Sequence, residues 1–132
     1  MEHEPRNLDA VLSSFDDLWM PRIVTQVNNY DVRVAKVQGD FVWHVHEDTD
    51  EFFLVLDGEL TIGLRSADGE ESAVHMKRGD VFVVPKGTEH RPSSPAGASI
   101  LLFEPAGTVN TGDRHEDIPD YITTTVGRDL SS

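Results

Sequence analysis

The sequence contains no cysteine and few basic residues. The absence of cysteine excludes disulfide-stabilised scaffolds, cysteine nucleophiles and thiolate metal sites. Any metal ion must therefore be held by histidine and carboxylate side chains. With 11 Lys and Arg against 24 Asp and Glu, the 132-residue chain has a net charge of −13 at pH 7. Such a surface repels phosphate backbones and anionic lipids, so we expect neither nucleic acid nor a membrane as a partner.

Long hydrophobic runs are also missing. No segment approaches the ~18 consecutive apolar residues of a membrane span, and the first residues are charged with no apolar stretch behind them. We therefore expect a cytoplasmic protein. A chain of 132 residues fits one compact domain better than two.

Helical periodicity is confined to the beginning of the chain. Four apolar residues at helical spacing follow Asn7, a good N-cap, and predict a short amphipathic helix over about residues 8–16. These residues are Leu8, Val11, Leu12 and Phe15. From Ile23 onward, short apolar runs alternate with turn dipeptides, which is typical of β-strands.

The turn dipeptides predict an antiparallel all-β domain. Asn28-Asn29, Asp57-Gly58 and Asp68-Gly69 suit the positive φ angles of tight hairpins. After Phe103 the chain is too rich in Gly, Pro and Thr for a regular element. We expect residues 1–20 to form the helix and lead-in, 21–104 the β-domain, and 105–132 an irregular tail that packs on the domain or on a partner subunit.

The candidate chemistry lies in a group of histidines and one glutamate. His44 and His46 are two residues apart, which on a strand places both imidazoles on one face. Alone, the pair is equally typical of a polar surface strand. Glu51 follows at the start of an apolar run, and His90 comes after a Pro and Gly turn. Three imidazoles and one carboxylate provide enough ligands for a divalent metal ion.

The spacing of these residues resembles the cupin superfamily, specifically its small single-domain members. The first cupin motif corresponds to Gly39, His44, His46, Glu51 and Gly58, with a spacer after Gly39 that is one residue shorter than usual. The second motif corresponds to Gly79, Pro85, Gly87 and His90, with Ser94 in the place of the usual Asn. The resemblance implies a jelly-roll β-barrel in which His44, His46, Glu51 and His90 bind a metal ion at one end.

Strand alternation sorts the other residues, if the candidate ligands point inward. Val42, Phe53 and Val55 are then candidate pocket residues. Lys36 and Gln38 share that side only if no bulge occurs near Gly39, and a glycine in a strand often marks one. Trp43, Phe52 and Leu54 point outward, where they would expose an apolar patch on a monomer. We therefore predict a homodimer.

Two functions remain open. Four protein ligands leave positions on an octahedral Fe, Mn, Co or Ni ion for water, oxygen or substrate, and Zn also accepts such a site. The first function is that of a metalloenzyme acting on a small molecule, dioxygenase-like or isomerase-like, with Glu51 as the candidate catalytic ligand. The alternative is a non-catalytic protein that binds or senses a small molecule through the metal. The mainly apolar pocket favours an aromatic or enol-containing ligand over a phosphorylated sugar.

Overall fold

The computed structural model describes residues 4–130. Within that range the chain forms one short helix and seven strands. In chain order, these are α1 (Leu8–Leu12), β1 (Arg22–Val27), β2 (Tyr30–Asp40), β3 (Glu51–Arg65), β4 (Glu71–Lys77), β5 (Val81–Val84), β6 (Glu89–Pro105) and β7 (Arg128–Asp129). The predicted all-β class with a short N-terminal helix is confirmed.

The described strands form one hydrogen-bonded path that does not close on itself. Its order is β4-β3-β6-β2-β1-β7, and β5 pairs with the first residues of β3. Every pairing is antiparallel except that of β1 with β7, which is parallel over two residue pairs. The long strands β3 and β6, of 15 and 17 residues, run through the centre. Their inward side chains supply much of the larger apolar core.

Two of the three predicted hairpins are confirmed, and one is wrong. Asn28-Asn29 joins β1 to β2, and Asp68-Gly69 lies in the connection between β3 and β4. At Asp57-Gly58 the strand does not turn back, because β3 continues to Arg65. Gly58 adopts a φ of +81° and lies so close to the backbone of Gly97 on β6 that a Cβ atom would not fit. The dipeptide therefore marks a bend in a long strand, where the register with β6 shifts.

Helix α1 is shorter than the sequence predicts. The Asn7 side chain accepts a hydrogen bond from the amide of Ala10 at 2.9 Å, as expected of an N-cap. The helix nevertheless ends at Leu12, and the Ser14 hydroxyl donates to the carbonyl of Val11 at 2.6 Å. Serine side chains compete in this way for helical backbone groups. Phe15 still joins Val11 in the smaller apolar cluster over the outer face of the sheet.

The segment after β6 returns across the end of the sheet that carries the histidines. The amide of Asp113 donates to the carbonyl of Val45 at 3.1 Å, and the Asp113 carboxylate accepts from the amide of Val45 at 2.9 Å. Gly112 has no room for a Cβ atom, because Val45 and the His44 ring lie against it. The tail is thus irregular, as predicted, and contacts the β-domain of its own chain.

Candidate metal centre

Three parts of the chain supply the four candidate ligands. His44 and His46 lie between β2 and β3, Glu51 begins β3, and His90 is the second residue of β6. Each residue offers one ligand atom, and these atoms all lie within 4.8 Å of one another. All four residues are buried. The structure thus brings together the histidines and the glutamate that the sequence singles out, in an arrangement that could hold a metal ion.

Backbone pairing positions the rings, although residues 41–50 do not form the regular strand assumed from the sequence. His44 and His90 make an isolated antiparallel bridge, with both N–H···O distances at 3.0 Å. The amide of Gly87 also donates to the carbonyl of His46 at 2.9 Å. The turn before β6 is therefore hydrogen-bonded to the segment that carries the histidine pair.

Two backbone carbonyls determine the orientation of the imidazoles. His44 Nδ1 lies 2.8 Å from the carbonyl oxygen of Val42, and His90 Nδ1 lies 2.9 Å from that of Thr88. A carbonyl only accepts, so the proton of each ring is on Nδ1. Each neutral ring then directs the Nε2 lone pair towards the centre of the group, as metal-binding histidines do.

The atoms at the centre of the group are all acceptors when the rings are neutral. Glu51 Oε1 lies 2.9 Å from His90 Nε2 and 3.5 Å from His46 Nε2. His46 Nε2 is buried and has no hydrogen-bond partner among the described residues. Lone pairs that face one another in a buried space repel, and a cation between them removes that repulsion. The donor set therefore fits a divalent metal ion.

The pKa values favour the protonation states that metal ligands need. Burial, reinforced by the neighbouring His90, lowers the pKa of His44 from its usual 6.5 to about 3. Burial alone would raise the pKa of Glu51, but hydrogen bonds with His46 and His90 hold it below its usual value. A neutral imidazole and an ionised carboxylate can bind a metal ion without first releasing a proton.

An apolar cavity of about 420 Å³, including its opening to solvent, adjoins the group. This volume falls in the range of small-molecule sites. Its wall consists mostly of apolar side chains, with polar ones from His44, Glu51, Glu104 and Asn110. The apolar lining residues are Trp19, Pro21, Ala35, Val37, Phe41, Phe53, Pro92, Ile100 and Leu102.

The predicted pocket residues have three different positions. Phe53 lines the cavity. Val42 and Val55 are buried in the same apolar core but are not part of the cavity wall. Lys36 and Gln38 face away from the cavity: the Lys36 ammonium donates to the carbonyl of Phe15 at 2.6 Å, and Gln38 is exposed.

The physical reason for the position of Lys36 and Gln38 is a bulge. The pairing of β2 with β6 shifts register between Val37 and Gly39. One additional residue in a strand reverses which side chains point inward. Ala35 and Val37 therefore line the cavity where the alternation counted from the histidines places Lys36 and Gln38.

Glu104 is a cavity residue that the sequence interpretation missed. It is 1% exposed, and its Oε1 accepts from Arg33 Nη1 at 2.9 Å. Arg33 is itself fully buried, and it also donates to Asp31 and to the carbonyl of Thr108. Burial and the neighbouring Glu51 raise the pKa of Glu104 above its usual value, although Arg33 opposes them. The signal was available, because Ile100, Leu102 and Glu104 alternate on one face of β6.

Within residues 4–130, no helix has the length and apolar character needed to cross a membrane.

Comparison with known proteins identifies the family. The sequence model of the family described as "Cupin domain" matches residues 31–104. The chain is 38% identical over 99 residues to the uncharacterized protein YdbB of Bacillus subtilis, which is 75% of this chain and 84% of YdbB. A crystal structure of a cupin-2 domain containing protein from Shewanella frigidimarina superposes with a TM-score of 0.70 at 37% identity, over 75% of this chain and 92% of that one.

A shorter match involves an enzyme. Over 70 residues the chain is 39% identical to the 3-hydroxyanthranilate 3,4-dioxygenase of Burkholderia cenocepacia, which is 49% of this chain and 39% of the enzyme. The chain thus spans most of YdbB but well under half of the dioxygenase. Because the family model covers more than half of the chain and YdbB matches it over three quarters, this protein belongs to the cupin family.

Proposed function

We propose that the protein is a metal-dependent enzyme of the dioxygenase type, in which His44, His46, Glu51 and His90 hold a divalent transition ion. The observation that carries the proposal is the convergence of three imidazoles and one carboxylate beside an apolar cavity. A redox-active ion with four protein ligands has further positions open to oxygen and substrate. Fe(II) is the ion that we favour, because it can transfer electrons to oxygen.

The side chains of the site have separable roles in this proposal. The carbonyls of Val42 and Thr88 hold the His44 and His90 rings in one orientation, which keeps their Nε2 atoms directed at the ion. Glu51 supplies the negative charge that partly neutralises the ion. The apolar wall, including Phe41 and Phe53, excludes water from the bound substrate.

The relatives and the wall of the cavity favour a dioxygenase over a sugar-phosphate isomerase. The 3-hydroxyanthranilate 3,4-dioxygenase match includes the cupin motifs and is named for oxidation of an aromatic ring. A phosphorylated substrate requires cationic partners. Of the described residues that line the cavity, none is a lysine or an arginine.

Oxygen uptake tests the proposal. Protein purified without an affinity tag is loaded anaerobically with Fe(II), and oxygen consumption is measured with 3-hydroxyanthranilate and with catechol. We expect uptake above that of the Zn(II)-loaded protein, whose ion binds the same ligands but does not transfer electrons. Uptake that does not depend on the metal contradicts the proposal. Binding of both compounds without uptake would favour the alternative function, a metal-dependent binding or sensing protein.

We also propose that the protein is a homodimer that buries the outer face of the sheet. Val83, Phe52, Phe103 and Val32 lie in one row across strands β5, β3, β6 and β2. In the next row, Val81 pairs with Leu54. Val81 and Val83 are 59% and 45% exposed, and α1 packs on a different part of the same face. Obligate interfaces bury apolar side chains of this kind. Trp43 lies elsewhere, between Arg65 and Arg91.

Light scattering measures the oligomeric state. At micromolar concentration we expect a mass of twice the 14.7 kDa of one chain. Val83→Lys places a charge in the centre of the proposed interface and is expected to yield monomers. Val27→Lys is the matched control, because Val27 is 50% exposed but lies on the β1–β2 hairpin. A monomeric mass for the unaltered protein would contradict the dimer.

A further inference from the structure

Glu104 has one carboxyl oxygen that no described protein group satisfies. Its Oε1 is held by Arg33, whereas Oε2 is buried and has no hydrogen-bond partner. Buried polar atoms are normally paired, and an unpaired one requires an explanation such as a ligand. Glu104 lines the apolar cavity beside the candidate metal ligands.

The other polar side chains of the cavity wall have partners. The Asn110 amide nitrogen donates to the carbonyl of Thr123, and its oxygen accepts from the amide of Thr125. The indole of Trp19 donates to the carbonyl of Gln38. His44 and Glu51 belong to the candidate metal centre. Glu104 Oε2 is therefore the polar side-chain atom of the wall that remains for a bound molecule.

The supporting network keeps Glu104 in place without a contribution from the ligand. Arg33 donates through Nε and Nη2 to Asp31 Oδ2, at 3.2 and 2.9 Å, and through Nη1 to Glu104 Oε1 at 2.9 Å. Arg33 is fully buried, and Asp31 and Glu104 are each 1% exposed. A binding group held by buried partners is preorganised, which increases its contribution to affinity and selectivity.

We propose that Glu104 is a specificity-determining residue, and that Oε2 forms a hydrogen bond with a hydroxyl group on a small apolar ring bound in the cavity. Trp19, Phe41 and Phe53 provide the aromatic wall for the ring. A hydroxyl group both donates and accepts, so it pairs with this oxygen in either protonation state of the carboxyl group. The inference rests on the proposed function, because it assigns the substrate class of the same site.

Two nearly isosteric fluorinated probes isolate this contact. 4-Fluorophenol and 1,4-difluorobenzene differ by a hydroxyl group in the place of one fluorine, and fluorine NMR of the probes measures the binding of each to the Zn(II)-loaded protein. One hydrogen bond to a buried carboxyl group corresponds to about a tenfold preference for 4-fluorophenol. Equal affinity for the two probes would overturn the inference.

Variants show which group recognises the hydroxyl. Glu104→Met keeps the approximate volume but removes the polar atom, so we expect the preference to fall to about onefold. Glu104→Gln keeps a hydrogen-bonding atom at that position and should retain a several-fold preference. Asp31→Asn is the matched control, because it alters the same Arg33 network without altering the cavity wall. A preference that survives in Glu104→Met, or that Asp31→Asn removes equally, would contradict a contact with Glu104.

Difference infrared spectroscopy provides a test that does not require Glu104→Met to fold. Binding of 4-fluorophenol should shift a carboxyl band that is absent in Glu104→Gln, whereas 1,4-difluorobenzene should not shift it. The absence of such a shift would overturn the inference. The NMR preference is also measured after a chelator has removed the zinc, and we expect it to persist. These readouts do not involve oxygen uptake, so failure of the dioxygenase proposal and failure of this inference are distinguishable.

Discussion

Replacement of His90 by alanine is expected to reduce the affinity for a divalent transition ion by at least about 100-fold, the upper end of the loss seen when only the outer partners of a metal site are removed. His90 contributes a directed lone pair, and its backbone pairing with His44 orients the segment that carries two more ligands. His44→Ala should have a similar effect, because His44 is buried and its lowered pKa keeps the ring neutral. Elemental analysis of protein purified without an affinity tag measures the bound metal.

His75→Ala is the matched control for these variants. His75 lies on β4, is exposed, and pairs with the hydroxyl of Thr61. We expect its removal to leave the metal content unchanged at about one ion per chain. If His44→Ala and His90→Ala also retain the full metal content, the assignment of the four ligands is wrong.

Replacement of Glu51 by glutamine is expected to reduce turnover far more than metal occupancy. Three imidazoles remain, so the protein should retain part of its ion. The amide keeps the shape of the carboxylate but removes its charge, and its N–H₂ group can donate to His90 Nε2, where the carboxylate oxygen lies at 2.9 Å. That hydrogen bond competes with the ion for the same lone pair. Because the charge and proton balance at the open positions also change, we expect turnover per bound ion to fall by about 100-fold.

The measurement compares oxygen uptake per bound iron in the two proteins. Glu59→Gln is the control, because Glu59 is an exposed glutamate on the same strand as Glu51. Equal losses of occupancy and turnover would show that Glu51 only holds the ion. Activity that survives in metal-free protein would contradict the metalloenzyme proposal as a whole.

Local patterns in the sequence were sufficient for the class of fold and for the candidate ligand set. Asn28-Asn29 and Asp68-Gly69 form the predicted turns because their backbone preferences act over a few residues. The family motifs likewise combine His44, His46, Glu51 and His90, which the structure brings within 4.8 Å of one another.

Side-chain direction beyond these motifs was less predictable. Alternation is reliable only where a strand is regular, and β2 has a register shift before Gly39. That single irregularity turns Lys36 and Gln38 away from the cavity. Asp57-Gly58 shows the converse case, because a dipeptide suited to a hairpin instead lies within β3, where Gly58 approaches Gly97 too closely for a side chain.

The sequence by itself determined the strand-rich fold, the cupin motifs and the residues able to bind a metal ion, because each of these follows from residue type and short-range spacing. Only the tertiary structure decided the composition of the cavity. Glu104 is 14 positions after His90 on one long strand, and its role depends on Arg33 from β2 and on the bend of β3. Contacts between residues that are distant in sequence depend on register, bulges and packing, which no local pattern specifies.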